Sequence, residues 1–313
     1  MTTTRRAALI GLGSAAALAA CARAPAGPGG DVIAAGQPAA LLIWAVAPAR
    51  LAGWPRRPSA AALAALPPAA GALPELGALG GGGPPASLEF LAGLRPSLVI
   101  DYGDTDAENQ GLGERVKLRL GVAWRLIDGA LLRIPAAVRE AGGLLDAADR
   151  AGPLADEAET VLARWRAARA GPSFYYARGA DGLETGFRGA LATEVLEGAG
   201  WTNVAEGGRD IGRVSREQVA AWDPEALVTL SPVFAEAARA DPVWRVRRNG
   251  DRRRLLLLPD HPFGWIDRPP SLNRLLGCVW LANPTDSQMT VAGLTRRLYG
   301  LAPVEVPAPQ WID

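Results

Sequence analysis

Strand-like and helix-like segments alternate along most of this chain, and the alternation stops once, between Ile134 and Ala170. That interruption constrains the fold more than any other feature. Before it, DVIAAG (from Asp31), ARLAGW (from Ala49), SLVIDYG (from Ser97) and AWRLID (from Ala123) are short apolar runs bounded by turn signals, which read as strands. QPAALLIWAVA, PSAAALAAL, SLEFLAGL (with Ser87 as N-cap) and AENQGLGERVKLRLG read as helices between them. Strands and helices joined by short connections predict a parallel sheet covered by helices. From Ile134 to Ala170 only helical signal remains, read as a long helix, a break at Gly152-Pro153 and a second helix. Alternation resumes after Pro172. SFYYAR, ALVTLSP and RRLLLLPD read as strands, while ALATEVLEGAG, SREQVAAWD (capped by Ser215), VFAEAARADPVWRVRRNG and SLNRLLGCVWLAN (capped by Ser271) carry helices. The expected fold is α/β, with one lobe over 31–133, a connecting helical segment over 134–171, and a second lobe with a tail over 172–313.

The first twenty-one residues read as an export signal rather than as part of the fold. Arg5-Arg6 precede an apolar stretch from Ala7 to Ala20, shorter than the roughly 20 residues a spanning helix needs. The paired arginines resemble a twin-arginine signal, and Leu18-Ala19-Ala20-Cys21 resembles a lipobox. The expectation is a signal peptide over 1–21, lipidation at Cys21, a tether over 22–30, and a lipoprotein held at the periplasmic or outer surface of a membrane. A net charge of +1 provides no field for nucleic acid, so the basic run Arg245 to Arg254 reads as a solvated turn. Cys278 lies in the apolar LLGCVWL and reads as a buried, inert thiol.

Ligands of open α/β sheets bind beyond the carboxyl ends of strands, so candidate residues are sought there. Tyr102 and Asp104 follow SLVIDYG, Tyr176, Arg178 and Glu184 go with SFYYAR, and Trp265, Asp267 and Arg268 follow RRLLLLPD. Aromatic and charged side chains together suit a polar or charged small molecule. Each set also has a structural reading: Asp104 as a helix cap, Arg178 in a surface cluster with Asp181 and Glu184, and Asp267 with Arg268 at a packed corner. The glycines at 80–83 lack phosphate-loop spacing and read as a flexible turn. His261 is the single histidine and reads as structural. With Cys278 buried, the chain has no soft cage for bare zinc, copper or nickel, although an all-oxygen site stays open. No HExxH, CxxC or strand-borne GxSxG marks an enzyme, but a Ser-His-Asp triad is not excluded by residue types.

Several phrases resemble those of the substrate-binding lipoproteins of ABC importers for iron chelates, cobalamin and related metal complexes. They are SLEFLAGLRPSLVIDYG in the first half, then TEVLEGAGWTNVAE and SREQVAAWDPEALVTLSP in the second. FYYARGADGLETG and PFGWIDRPPSLNRLLGCVWL resemble an iron-complex sub-group with molybdate- and nickel-chelate-binding relatives. The resemblance spans Asp31 to Asn283. It implies a class III binding-protein fold, with two lobes joined by a long helix and a shallow cleft between them that rocks only modestly. It also implies a monomer without cofactor or nucleic-acid partner that delivers its ligand to a permease and its ATPase. Glu89 in SLEFL and Glu197 in EVLEG match positions that dock the permease. A ferric chelate is the first expected ligand, molybdate or tungstate the second, and a nickel or cobalt complex such as cobalamin the third. The chain departs from relatives at Gln37 in AAGQPAALL, at Gly142-Gly143, and in the apolar stretch Pro55–Ala72. An exported α/β enzyme and an envelope scaffold remain as other classes.

Overall fold

The computed structural model describes residues 29–166, 171–282, 288–300 and 308–312. The expected signal peptide, the lipidation site Cys21 and most of the expected tether lie outside these residues. The chain is already engaged at Gly30, whose N–H donates to Leu51 O at 2.8 Å.

Two sheets form the frame. In the first, β1 (Val32–Ala34), β2 (Leu98–Gly103) and β3 (Ala123–Asp128) run parallel in that order. The second contains β4 (Ser173–Ala177), β6 (Thr202–Asn203), β8 (Ala226–Thr229), β9 (Arg254–Leu257) and β10 (Gln310–Ile312) in the order β10-β9-β8-β4-β6, with only β10 antiparallel. A small antiparallel ribbon joins β5 (Glu184–Gly186) to β7 (Ile211–Arg213).

Side-chain parity along the strands assigns each sheet two buried faces. Val32 and Ala34, Leu98, Ile100 and Tyr102, Phe174 and Tyr176, Ala226 and Val228, and Leu256 all join one central core. The intervening Ile33 and Val99 face a separate first-lobe core, while Tyr175, Ala177, Leu227 and Leu255 face a separate second-lobe core. A period of two with both faces apolar is what a helix-covered parallel sheet requires. The helix Gln37–Val46 lies in the central core, with every residue from Ala39 to Val46 buried.

The connecting segment is two helices, Ile134–Leu144 and Ala148–Arg166. The break lies at 145–147 rather than at Gly152-Pro153. Asp146 takes a left-handed φ of 55°, a conformation that the short Asp side chain tolerates, and it ends the first helix. Pro153 lies past the first turn of the second helix, where it removes one i→i−4 bond without ending the helix. The stripe Ala151, Leu154, Ala155, Ala158, Val161, Leu162 and Trp165 of this helix faces the core. Arg139 ties the two helices together through Asp156 and Glu159, each at 2.7 Å. Arg150 Nε donates to Ala45 O at 2.7 Å in the first lobe, and Trp165 Nε1 donates to Val195 O at 3.1 Å in the second.

Three local expectations change. ARLAGW is reduced to isolated bridges at Leu51 and Trp54. ALATEVLEGAG forms only the turn of helix Glu194–Glu197. Ser271 does not cap the helix Arg274–Ala282; its hydroxyl instead donates to Pro38 O of the first lobe at 2.8 Å. A second tie between the lobes lies nearby. Arg274, fully buried, donates to Gly129 O and pairs with Glu194 at 2.6 Å, while Glu194 also accepts the Leu131 N–H at 2.8 Å. The turn that leads from β3 into the connecting helices is thereby gripped by the second lobe.

Candidate functional site

A cleft of about 690 Å³ opens between the lobes, beyond the carboxyl ends of their strands. Its first-lobe wall starts where β1 gives way to the helix Gln37–Val46. Gly36 caps that helix with no side-chain bond, and Gln37 and Pro38 line the cleft. The uncapped helix start therefore adds positive potential there. Arg56, Arg57 and the turn Gly80–Gly82 complete this wall. Gly81 sits at φ 71°, a backbone region in which a side chain would be strained.

The second-lobe wall comes from the ends of β4 and β9. Arg178 directly follows β4, and Glu184 opens β5. Asp260, Asp267 and Arg268 come from the long loop after β9. That loop is held from within by Asn273, fully buried, whose amide donates to Gly264 O and to Pro269 O (2.8 Å) while its oxygen accepts the Ser271 N–H at 3.1 Å.

Ion pairing divides the arginines. Arg178 Nε lies 2.8 Å from Asp267 Oδ2, and its other arm lies 3.1 Å from Glu184 Oε2. The Asp267 side chain is 2% exposed and also accepts a hydrogen bond from the Tyr176 hydroxyl at 3.0 Å. Burial opposes the Arg178 charge, but Asp267, Tyr176 and Glu184 outweigh it and hold its pKa above the ordinary value. Burial, then the neighbouring Asp267 charge, pushes the Tyr176 hydroxyl well above its usual range, so it serves as a neutral donor. Arg178 is thus a braced part of the wall, already neutralised. The Arg57 guanidinium donates to the carbonyls of Leu73 and Gly71 at 3.2 and 2.9 Å and forms no ion pair among the described residues, while its backbone N–H donates to Glu75 Oε2 at 2.8 Å. Among the described residues, the Arg56 side chain makes no hydrogen bond or ion pair, and Arg268 makes only a 3.5 Å approach to Leu230 O. Unneutralised guanidinium groups therefore face the cleft from both lobes.

Of the residues expected from sequence, Arg178, Glu184, Asp267 and Arg268 come together here. Three aromatic positions do not. Tyr102, Tyr176 and Trp265 are each no more than 2% exposed and belong to the central core. Tyr102 shares strand parity with Ile100, and Tyr176 with Phe174, so both point into the core and cannot flank a ligand. Asp104 lines a different, more open cavity of about 430 Å³, with Asp106, Arg188 and Asp210. Its pKa is raised, first by burial and then by Asp210 and Asp106. The helix cap in that region is Asp106, which accepts the Asn109 N–H at 2.9 Å. Glu89 is exposed in the first turn of the helix Leu88–Gly93, where its own backbone N–H and then Ser87 lower its pKa. Glu197 is half-buried and accepts bonds from the Gly189 N–H (3.0 Å) and the Asn203 amide (2.9 Å). Arg56, Arg57 and the glycine turn were not among the expected site residues. The signal was the charged pair Arg56-Arg57 inside the apolar stretch Pro55–Ala72.

No protein-family model and no curated protein matches the chain. Solved structures do. An ABC transporter solute binding protein from Sulfurospirillum deleyianum is 24% identical with a TM-score of 0.76, the match covering 88% of this chain and 90% of that one. The fold is that of the periplasmic solute-binding proteins. The molybdate-binding protein MolA of Haemophilus influenzae, bound to molybdate, matches at TM-score 0.66 and 16% identity over 91% of this chain and 96% of its own. CeuE of Helicobacter pylori, in a nickel–histidine complex, matches at 0.60 and 15% over 88% and 91%. In the described part of this chain, no helix is long and apolar enough to cross a membrane, and no group of three His, Cys, Asp or Glu side chains is placed to hold a metal ion.

Proposed function

We propose that this chain is the exported solute-binding component of an ABC importer and captures a preformed anionic metal complex of the ferric-chelate type between its lobes. One observation carries the reading: unneutralised Arg56 and Arg268 face a cleft of about 690 Å³ from opposite lobes of a binding-protein fold. That volume falls within the ~300–1,000 Å³ range of small-molecule sites. Guanidinium groups suit carboxylate-like oxygens, which they meet in a bidentate fashion. The residues lining the cleft include no His, Tyr, Cys or Met, so a metal would arrive already ligated, and a haem would find no axial ligand there. Ser59, the one hydroxyl side chain on the lining, is engaged as a helix cap to the Ala62 N–H, which leaves no nucleophile paired with a base.

A second reading, molybdate or tungstate, has its support in the likeness to a molybdate-binding protein and in the same arginines. A melting-temperature screen separates them. Ferric citrate, ferric siderophores, molybdate, tungstate, cobalamin and nickel–histidine would each be tested at a hundredfold excess over the dissociation constant. A true ligand should add about 2.7 kcal/mol with no turnover. Stabilisation by none of them, or product formation from one, removes the reading.

Delivery to the permease would use Glu89, whose exposed position leaves it available. Glu197 must first release Gly189 and Asn203 before it could meet a partner. The Cys21 anchor would keep the protein at the membrane through several acyl chains.

A further inference from the structure

The two walls of the cleft differ in charge. On the first-lobe wall, the Arg56 and Arg57 guanidinium groups form no ion pair among the described residues, the Glu75 carboxylate being held by the Arg57 backbone N–H at 2.8 Å outside the cleft lining, and the start of the helix Gln37–Val46 adds its positive end. On the second-lobe wall, Arg178 and Arg268 face Glu184, Asp260 and Asp267. Because Arg178 stands between Asp267 and Glu184, its single charge is set against two carboxylates. Asp267 is buried, whereas the Glu184 side chain is 40% exposed and open to the cleft. Asp260 is exposed and makes no ion pair among the described residues. The cleft thus presents a cationic wall opposite a wall whose three carboxylates outnumber its two arginines by one, Glu184 and Asp260 being the carboxylates that are not buried.

From this polarity we infer that the ligand is two-faced. Its carboxylate-like edge lies against Arg56 and Arg57, and an edge bearing N–H donors or positive charge lies against Glu184 and Asp260. The class is a metal complex of amino-acid-like ligands, in which carboxylates and amine or imidazole nitrogens sit on one molecule. A uniformly anionic complex would be attracted by the first lobe and repelled by Glu184. Its discrimination would come from unfavourable as well as favourable contacts. This inference rests on the binding role proposed above and narrows its ligand.

Two probes with the same metal test it: nickel(II)–histidine, which carries both kinds of edge, and nickel(II)–citrate, which carries only anionic oxygens. Calorimetric titrations would use wild type, Glu184→Gln, Asp260→Asn and Arg56→Gln, with circular dichroism to check each fold. Wild type should prefer nickel–histidine. Glu184→Gln should lower that affinity about tenfold, the scale of one hydrogen bond to a charged group, and should raise the affinity for nickel–citrate. Asp260→Asn, an exposed change with no ion pair to lose, should shift the selectivity in the same direction. Arg56→Gln should weaken both complexes. Tighter binding of nickel–citrate by wild type, with Glu184→Gln and Asp260→Asn leaving the ratio unchanged, overturns the two-faced ligand while the anion-binding role stands. Binding of neither complex by any variant overturns the two-faced ligand, and the binding role then rests on the melting-temperature screen alone.

Discussion

Replacing Arg178 by Met should destabilise the protein before it affects any ligand. The reason is geometric. Asp267 is 2% exposed, and its carboxylate meets the Arg178 guanidinium at 2.8 Å and the Tyr176 hydroxyl at 3.0 Å. Without Arg178, a buried charge keeps a single neutral donor. Removing one partner of a buried ion pair costs about 3–5 kcal/mol. The low end applies here, because the Arg178 side chain retains 18% exposure and the Tyr176 bond survives. About 3 kcal/mol corresponds to a fall in melting temperature of roughly 6–12 °C by the scaling for somewhat smaller chains. Urea denaturation and thermal melts of Arg178→Met, Asp267→Asn and the double variant would measure it. Asp267→Asn should restore at least about 1 kcal/mol in the Arg178→Met background, since the unpaired charge is gone. Arg178→Met melting within about a degree of wild type, or an Asn substitution that simply adds to the loss, would refute the reasoning.

Other outcomes follow from the same contacts. Arg274→Ala should cost about 3–5 kcal/mol in denaturant melts, because Glu194 loses its buried partner and the Gly129 and Leu191 carbonyls lose their donor; Arg274→Lys should recover only part of this, having no planar fork to span those acceptors. Cys278 is fully buried, and burial raises its thiol pKa, so iodoacetamide should label it only after unfolding. Charge reversal at Glu89 should reduce uptake in cells while leaving calorimetric ligand binding intact, if its exposed carboxylate docks the permease as proposed, since it does not line the cleft.

The frame of this molecule was legible because its signals are local. Strand–helix alternation, turn residues and the strandless stretch from Ile134 onward place both sheets and the helices between them. Capping chemistry was legible at Ser87 and Ser215, whose side chains accept the N–H groups of Phe90 and Gln218. Ser271 misled because its hydroxyl is used across the lobes, a contact that only the fold creates. The β5–β7 ribbon and the C-terminal strand β10 escaped notice since they are only three residues long and depend on distant partners. The charged strand-end residues Arg178, Glu184, Asp267 and Arg268 line the cleft, whereas the large aromatics Tyr102, Tyr176 and Trp265 lie in the core. Strand parity already held the correction: Tyr102 and Tyr176 fall on the same faces as Ile100 and Phe174. Arg56 and Arg57 were hidden by their apolar surroundings, because which wall they join depends on how the first lobe folds back.

The central claim is that a metal complex with carboxylate-like oxygens binds in the cleft that Arg56 and Arg268 face from opposite lobes. Native mass spectrometry of protein recovered from the cells that make it, grown in metal-replete medium, addresses it directly. Wild type should carry a small-molecule adduct containing metal. The variant Arg56→Glu/Arg268→Glu should fold with a wild-type melting temperature and carry none, since both exposed arginines contribute little to stability. A wild-type protein without an adduct, or an adduct retained undiminished by the double variant, would contradict the account.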